Sequence, residues 1–185
     1  MHNDEMSRVQ SFPPIEDVKA RILVLGSMPG KASLAAGQYY AHAQNLFWRI
    51  LGEITGAAPA LPYAARARAL KSSGIALWDV LASCAREGSL DSAIDDATIS
   101  ANDFAAFYHA HPRIAHVFFN GAKAEACYRR HVLPVLADGP APTSLRRLPS
   151  TSPANASMSR AHKQRVWKQA LRQALAGRQG RAGAR

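Results

Sequence analysis

The chain is poor in the residues that build covalent and metal-based scaffolds. Only two of its 185 residues are cysteines, Cys84 and Cys127, and they do not form a C-x-x-C pair. This count excludes a disulfide framework and an iron–sulfur cluster, and it is typical of a reducing cytosol. The seven histidines are scattered, with no pair at the spacing of a zinc site on one helix face. We therefore expect neither a metal nor another cofactor.

Long apolar runs and acidic residues are also scarce. No stretch approaches the roughly 20 continuous apolar residues that span a bilayer, and Asp4 and Glu5 stand where a secretory signal would be basic. We expect a cytoplasmic protein without a membrane partner. The 13 acidic residues are outnumbered by 23 lysines and arginines, which leaves a net charge of +10. This excess favours a polyanionic partner, because each cation near a phosphate releases a condensed counterion, although charge kept for solubility is the alternative.

Length and composition predict one domain. A chain of 185 residues can bury a full hydrophobic core. We predict a single domain over residues 1–176, followed by a disordered basic tail at 177–185. The tail consists almost entirely of Gly, Ala, Arg and Gln, a composition that cannot fold alone.

Short β-type runs alternate with helical segments along this domain. Apolar runs bounded by glycine or proline predict strands, and apolar residues at helical spacing predict helices. The predicted strands are 21–25, 75–81, 114–120 and 144–148, and the predicted helices are 45–54, 63–72, 100–111, 122–133 and 159–176. Parallel neighbours need crossovers that helices supply. The pattern therefore predicts an α/β/α sandwich with a central four-stranded parallel sheet.

Polar residues gather where these strands end. Ligands of such sheets bind outside the carboxyl ends of the strands, which here carry residues 26–30, Asp79, Asn120 and residues 150–155. The first of these loops lacks the glycine patterns of dinucleotide and P-loop sites and the G-x-S-x-G of serine hydrolases. What remains is a set of amides, aromatics and hydroxyls, which suits binding a planar base and directing a water at it.

The segment from Gly26 to Trp48 resembles the first motif of the uracil-DNA glycosylase superfamily. A G-x-x-P-G turn is followed by an aromatic residue, A-H-x-x-N and F-W. Four further segments agree in order and approximate spacing: LWDVL at 77–81, C-x-REGSLDS at 84–92, FNG-x-KA at 119–124 and PSTSPAN at 149–155. Together they cover most of residues 21–160, and they are most similar to the hypoxanthine-DNA (deoxyinosine) glycosylase family.

This resemblance implies a monofunctional glycosylase that flips and hydrolytically excises deaminated bases, chiefly hypoxanthine. In the mismatch-specific branch, an asparagine at the position of Met28 orients the attacking water, and a methionine cannot do so. In the hypoxanthine family the catalytic amide resembles Asn45. The alternative for Asn45 is the N-cap of a helix that starts at Leu46, a role that asparagine fills well. Both roles can hold together.

The resemblance also implies a pocket for the flipped base. Tyr40 aligns with the aromatic residue that stacks on the base, although a tyrosine of the core is an equal alternative. Asp79, Asn120 and backbone amides near Met28 are candidates to stabilise the leaving base, or else ordinary turn residues. The predicted base-binding set is Met28, Tyr40, Phe47, Asp79 and Asn120.

The last loop and helix are predicted to contact DNA. The loop would press on the duplex where the base has left, and the basic helix would follow the phosphates; a plain turn is the alternative for the loop. The expected contacts are Ser150, Ser152, Pro153, Ala154, Asn155, Arg160 and Lys163. The expected partner is damaged, double-stranded DNA, bound by a monomer associated with the nucleoid.

Three other functions stay open on the sequence. One is a glycosylase of the mismatch type for uracil or thymine, against which Met28 argues. Another is a non-catalytic sensor of DNA or nucleotides that keeps the pocket. The third is a domain whose basic helix binds an acidic protein, which strong salt dependence of DNA binding would disfavour.

Overall fold

A computed structural model describes residues 7–136 and 139–177. Apart from Gly177, the predicted basic tail lies outside these residues. The strands are β1 (Arg8–Gln10), β2 (Ile22–Gly26), β3 (Ile75–Asp79), β4 (Leu81–Arg86), β5 (Ile94–Ala101), β6 (His116–Asn120) and β7 (Ser144–Leu148). The α-helices are α1 (Lys31–Ala36), α2 (Phe47–Thr55), α3 (Tyr63–Ser72), α4 (Phe104–Ala110), α5 (Ala122–Cys127) and α6 (Arg160–Ala176).

The predicted four-stranded parallel sheet is confirmed. Its order is β3-β2-β6-β7, with every neighbouring pair parallel. The central strand β2 is buried along its whole length, as expected for a strand covered by helices on both faces. Its register pairs Gly26 with Asp79 of β3 and Leu25 with Phe119 of β6, while Asn120 pairs with Leu148 of β7. The carboxyl ends of the strands therefore meet at one edge.

Alternate residues of the sheet enter two separate apolar clusters. Ile22 and Val24 of β2 pack with α2, α3 and α6, whereas Leu23 and Leu25 pack with α4 and α5. Successive side chains of a strand point to opposite faces, so one helical layer covers each face of the sheet. This is the predicted α/β/α sandwich.

A second, antiparallel sheet was not predicted. It has the order β1-β4-β5. The predicted strand 75–81 is in fact two strands, β3 and β4, which belong to different sheets and are separated at Val80. The helix predicted at 100–111 is shorter in the structure, where only α4 is helical. Residues 94–101 form β5, and Asp103 caps α4 by accepting the backbone N–H of Ala106 at 3.0 Å. Pairing with β4 makes this half-polar segment a strand.

The remaining differences concern short helices. The helix α1 was not predicted, since its six residues carry no helical apolar stripe. The helix expected at 122–133 is α-helical only to Cys127 and continues as a π turn (Tyr128–Val132) and a 3-10 turn (Leu133–Val135), because Pro134 cannot continue the backbone ladder. The other helices lie close to their predicted bounds. In the described ranges no helix combines the length and apolarity needed to cross a membrane.

Trp167 packs α6 against the sheet, and its replacement tests this packing. It is fully buried, meets Phe47 edge to face and donates from Nε1 to the carbonyl oxygen of Pro149 at 2.7 Å. Trp167→Ala leaves a large cavity and should lower the free energy of unfolding by about 3–5 kcal/mol in urea titrations. Val18→Ala, at an exposed site, should change it by less than about 0.5 kcal/mol. Equal losses would contradict this account.

Candidate active site

A cleft of about 840 Å³ opens at the carboxyl edge of the parallel sheet. Two segments border it, the first loop (residues 26–30, after β2) and the second loop (residues 150–157, before α6), together with the ends of β3 and β6 and the residues that follow β4. Of the predicted site residues, the cleft is lined by Met28, Tyr40, Asn45, Asp79, Asn120, Ser150, Ser152, Pro153, Ala154 and Asn155.

Gly26 leaves room for two side chains of the cleft wall at the end of β2. A β-carbon at this position would lie 2.5 Å from Oδ1 of Asp79 and 2.8 Å from Oη of Tyr40. Either distance is far below a van der Waals contact, so a larger residue would displace the Asp79 carboxyl group and the Tyr40 hydroxyl. The two side chains thereby meet over the end of β2.

The first loop is held by side chains that the sequence analysis left without a role. Ser27 Oγ donates to Oδ1 of Asp91 at 2.6 Å, and the backbone N–H of Lys31 donates to Ser89 Oγ at 2.8 Å. Arg86, a buried residue of β4, donates from Nη2 to the carbonyl oxygen of Pro29. All three partners lie in the segment C-x-REGSLDS, which is one of the segments that resemble the glycosylase family. Because this segment is far from the first loop in the chain, its contacts with the loop leave no local pattern in the sequence.

Tyr40 has an unusual backbone and a supported ring. It is the one non-glycine residue with positive φ in the described ranges, at 52°, a conformation that costs energy and is commonest at functional sites. Its ring stacks on Phe47, with centroids 4.2 Å apart and planes 27° apart. Burial, and then the charge of Asp79, raise the pKa of the Tyr40 hydroxyl, which therefore stays protonated.

The placement of Phe47 corrects its predicted role. Phe47 is fully buried, meets Trp48 and Trp167 edge to face and does not line the cleft. It cannot contact a base in the cleft, because the Tyr40 ring lies against it on that side. Phe47 instead supports Tyr40 from behind.

Asp79 is a buried carboxyl group on the cleft wall. Its side chain is 3% exposed, and Oδ2 has no hydrogen-bond partner among residues 7–136 and 139–177. Burial raises the pKa of Asp79 to about 7, the nearby charge of Asp91 adds to this rise, and the Arg86 guanidinium opposes it. Near neutral pH the group is thus divided between its acid and its carboxylate.

Asn45 lies at the start of α2 and on the cleft. Its Oδ1 accepts the backbone N–H of Phe47 at 2.9 Å. The helix begins at Phe47 and its N-cap is Leu46, so Asn45 holds the start of α2 from one residue before the N-cap and is not the N-cap itself. Its side chain also lines the cleft. The contact with the start of α2 therefore holds a cleft-lining residue in place.

Asn120 links β6 to the second loop. Its Nδ2 donates to Thr151 Oγ1 and its Oδ1 accepts the backbone N–H of Thr151, both at 2.9 Å. Two of its hydrogen-bonding positions are thus occupied by Thr151, and its side chain also acts on the Tyr40 hydroxyl, whose pKa it lowers. Thr151, which the sequence analysis did not select, is buried by this pairing.

Lys163 lies beneath the second loop and not on the DNA-facing surface predicted for it. It is 3% exposed, and its Nζ donates to the carbonyl oxygens of Ser152 (3.3 Å) and Asn155. Burial lowers the pKa of its ammonium group. Arg160, one turn earlier in α6, is exposed.

Lys123 is a cleft-lining cation that the sequence analysis did not select. Its Nζ donates to Asp96 Oδ1 at 2.7 Å. Burial, the largest single effect, lowers the pKa of Lys123, but the hydrogen bond to Asp96 and the charges of Cys127, Asp96 and Asp91 together outweigh it and leave the pKa raised. Within the described residues no three His, Cys, Asp or Glu side chains come together as a metal site would require.

Fold and cleft place the protein in one class. Residues 13–176 match the family model of the uracil DNA glycosylase superfamily, and the chain belongs to this superfamily. The resemblance inferred from the motifs is thus confirmed.

Particular relatives narrow the comparison. Proteins named hypoxanthine DNA glycosylase from Methanosarcina barkeri and Methanosarcina acetivorans are 43% and 39% identical to the chain over 116 residues, which is 62% of this chain and 72% of each relative. A solution NMR structure of a candidate uracil DNA glycosylase from Methanosarcina acetivorans superposes with a TM-score of 0.73. It is 32% identical, and the match covers 91% of this chain and 99% of that one.

The support of the second loop by Lys163 can be tested against a matched lysine of the same helix. Lys163→Met leaves two loop carbonyls without their donor, which should lower the free energy of unfolding by about 1–3 kcal/mol. Lys168→Met removes an ion pair between a partly buried lysine and the exposed Glu53 and leaves no backbone carbonyl without a donor, so it should cost less than about 1 kcal/mol. Urea titrations of both variants measure the difference, and an equal effect would show that the buried ammonium does not support the loop.

Proposed function

We propose that the chain is a monofunctional DNA glycosylase that flips a deaminated base, chiefly hypoxanthine, into the cleft and hydrolyses its bond to the sugar. The supporting observation is that an amide (Asn45) and an aromatic platform (Tyr40 on Phe47) face one cleft. The two relatives named hypoxanthine DNA glycosylase favour the same substrate.

A base inside a duplex must leave the stack before it can be attacked. Rotating it out costs a few kcal/mol, and less for a mispaired base, so selection of a lesion begins at this step. The cleft volume of about 840 Å³ falls within the usual range for pockets of small ligands, about 300–1,000 Å³. The open face of the Tyr40 ring would stack on the purine, because Phe47 occupies the other side.

Asn45 would position the attacking water. An amide is too weak a base to deprotonate water, so its contribution is orientation while positive charge builds on the sugar. Its Oδ1 accepts the Phe47 N–H, and this contact limits the rotation of the side chain. Met28, a mostly buried thioether on the cleft wall, has no group that could hold the water, which argues against the mismatch uracil or thymine alternative.

The leaving base would be stabilised by hydrogen bonds from the cleft wall. The amide of Asn120 and the backbone near Met28 are the candidate donors for the ring nitrogens or O6 of hypoxanthine. Lys123 is held as an ammonium ion by Asp96, so it is a poor nucleophile for the sugar. The nucleophile in this proposal is therefore water, and an enzyme that uses water as its nucleophile is monofunctional.

The DNA partner would be a damaged duplex bound by a monomer. The second loop, with Ser150, Ser152 and Asn155 on the cleft, would contact the strand around the flipped nucleotide. Arg160 at the start of α6 is exposed and would reach a phosphate. The net charge of +10 agrees with this electrostatic part of binding.

The role of Asn45 in positioning water can be tested separately from its contact with the start of α2. Asn45→Ala should reduce hypoxanthine release by about a hundredfold or more, because the water loses its orienting group. Asn45→Ser keeps a capping oxygen and should lose activity to a similar extent while melting close to wild type. The assay uses duplexes with one deoxyinosine or one deoxyuridine, and alkali cleaves the abasic sites.

Three results of this assay would redirect the assignment. Full activity of Asn45→Ser would restrict Asn45 to capping. Release of uracil alone by the wild type would favour the mismatch alternative. DNA binding without release of either base would favour the non-catalytic sensor.

Arg160 is expected to contribute affinity without sequence preference. Arg160→Ala should weaken DNA binding equally for damaged and intact duplexes and reduce the slope of log affinity against log salt by about 0.9. Arg172→Ala, at an exposed site of the same helix about 18 Å further along its axis, is the matched control. Fluorescence anisotropy over a salt series gives both slopes, and equal slopes would remove Arg160 from the interface.

A further inference from the structure

The cleft contains a buried polar atom that the protein itself does not satisfy. Oδ2 of Asp79 is buried and has no hydrogen-bond partner in the described part of the chain, and no ion pair there joins Asp79 to a cation. Arg86, whose charge acts on Asp79, donates from Nη2 to the carbonyl oxygen of Pro29, while its Nε and Nη1 and the hydroxyl of Tyr40 are likewise buried without a partner in the described residues. A buried carboxyl oxygen without a donor is costly, so its retention on a cleft wall points to a donor that arrives with the ligand.

The position of Asp79 leaves little freedom in how it meets a ligand. It ends β3 opposite Gly26, and its Oδ1 lies so close to Gly26 that no β-carbon would fit between them. Its backbone carbonyl accepts a hydrogen bond from Nδ2 of Asn102 at 2.8 Å. Because strand pairing, Gly26 and Asn102 all restrain Asp79, its carboxyl group is a preorganised acceptor beside the Tyr40 ring.

Deamination of adenine changes the one edge that such an acceptor can distinguish. Adenine has a bare N1 with a lone pair and an amino group at C6. Hypoxanthine has an N1–H donor and an oxo group at C6. A carboxylate at this edge accepts a hydrogen bond from the N1–H of hypoxanthine, but it is repelled by the lone pair of adenine N1. The same contact is therefore attractive for hypoxanthine and repulsive for adenine.

We infer that Asp79 determines the specificity of the cleft, by accepting the N1–H of a flipped hypoxanthine and rejecting adenine. This inference rests on the proposed function. In it, Asp79 recognises the edge of the base and Asn45 acts at the sugar. N1 lies on the six-membered ring of the purine, away from the N9 bond that breaks. The reading of the base and the chemistry therefore occur at opposite ends of the ligand.

The charge state of Asp79 supplies a signature of this role. The charges that act on it are those of Asp91, after β4, and Arg86 of β4. Its own charge acts on the hydroxyl groups of Tyr39, Tyr40 and Tyr63. Its pKa is raised to about 7, first by burial and then by Asp91, and Arg86 counteracts the rise. Only the carboxylate form is a pure acceptor, so recognition should strengthen as the pH rises through this value.

The experiment measures hypoxanthine release at subsaturating substrate, where the rate reports ionisations of the free enzyme. For the wild type, we expect an increase of about tenfold between pH 6 and pH 8, the change in the ionised fraction of a group with a pKa near 7. Asp79→Asn should abolish the increase, lower the rate at pH 8 by about tenfold and narrow the preference for deoxyinosine over deoxyadenosine opposite cytosine. Asp17→Asn, near the amino end of β2 and outside the cleft, should retain both wild-type properties.

A second variant keeps the inference testable if Asp79→Asn does not fold. Asp91→Asn removes the like charge that raises the pKa of Asp79, so the midpoint of the pH profile should move to lower pH. A change in stability alone would not produce this displacement.

Failure of the inference and failure of the proposed function give different results. If the wild type releases hypoxanthine with a flat profile, or if Asp79→Asn keeps the wild-type profile and preference, the specificity role of Asp79 is overturned and the proposed function stands. If the folded wild type releases no hypoxanthine at any pH while it binds DNA, both are overturned.

Discussion

The register of the parallel strands controls the whole cleft. Gly26 pairs with Asp79, and Asn120 pairs with Leu148, immediately ahead of the second loop. A shift of one residue in any of these pairs would turn the side chains of that strand to the opposite face and would remove a member of the cleft. The register is strongly specified because both faces of β2 are buried, so each face must match an apolar helical layer.

Loops at the carboxyl edge keep their shape through polar and charged side chains, most of which bond to backbone groups. Arg86, Ser89 and Asp91 hold the first loop from the side of the antiparallel sheet. Asn120 and Lys163 hold the second loop from below. Such contacts satisfy carbonyl and N–H groups that irregular segments cannot pair among themselves, and they leave the opposite side of each loop free to meet a nucleic acid.

The cleft also combines strain, burial and an unsatisfied charge in a small space. Tyr40 combines a positive φ with a ring stacked on Phe47 and a hydroxyl that lies in the space left by Gly26. Asp79 keeps a raised pKa because it is buried near Asp91. Each feature is unfavourable for folding alone, and the well-packed clusters on both faces of the sheet provide the stability that tolerates them. The arrangement is consistent with a site that is preorganised for a ligand with a defined edge.

The sequence by itself determined the parallel sheet, its flanking helices and the superfamily. Buried parallel strands are continuous apolar runs that end at glycine or at a polar residue, and caps such as Ser159 mark helix starts within a few residues. These signals are local, as is the motif from Gly26 to Trp48. The residues that line the cleft, Asn45, Tyr40 and Asp79 among them, could be selected because they follow those local signals.

Only the tertiary structure decided the antiparallel sheet, the roles of Arg86 and Lys163, and the difference between Phe47 and Tyr40. Strands β4 and β5 become strands through pairing with each other and with β1. A lysine on a polar helix is normally exposed, and Lys163 is buried because the second loop folds over it. Of two neighbouring aromatic residues in one motif, packing against Trp167 buries Phe47 and leaves Tyr40 on the cleft. These outcomes depend on contacts between residues distant in the chain, which local propensity does not encode.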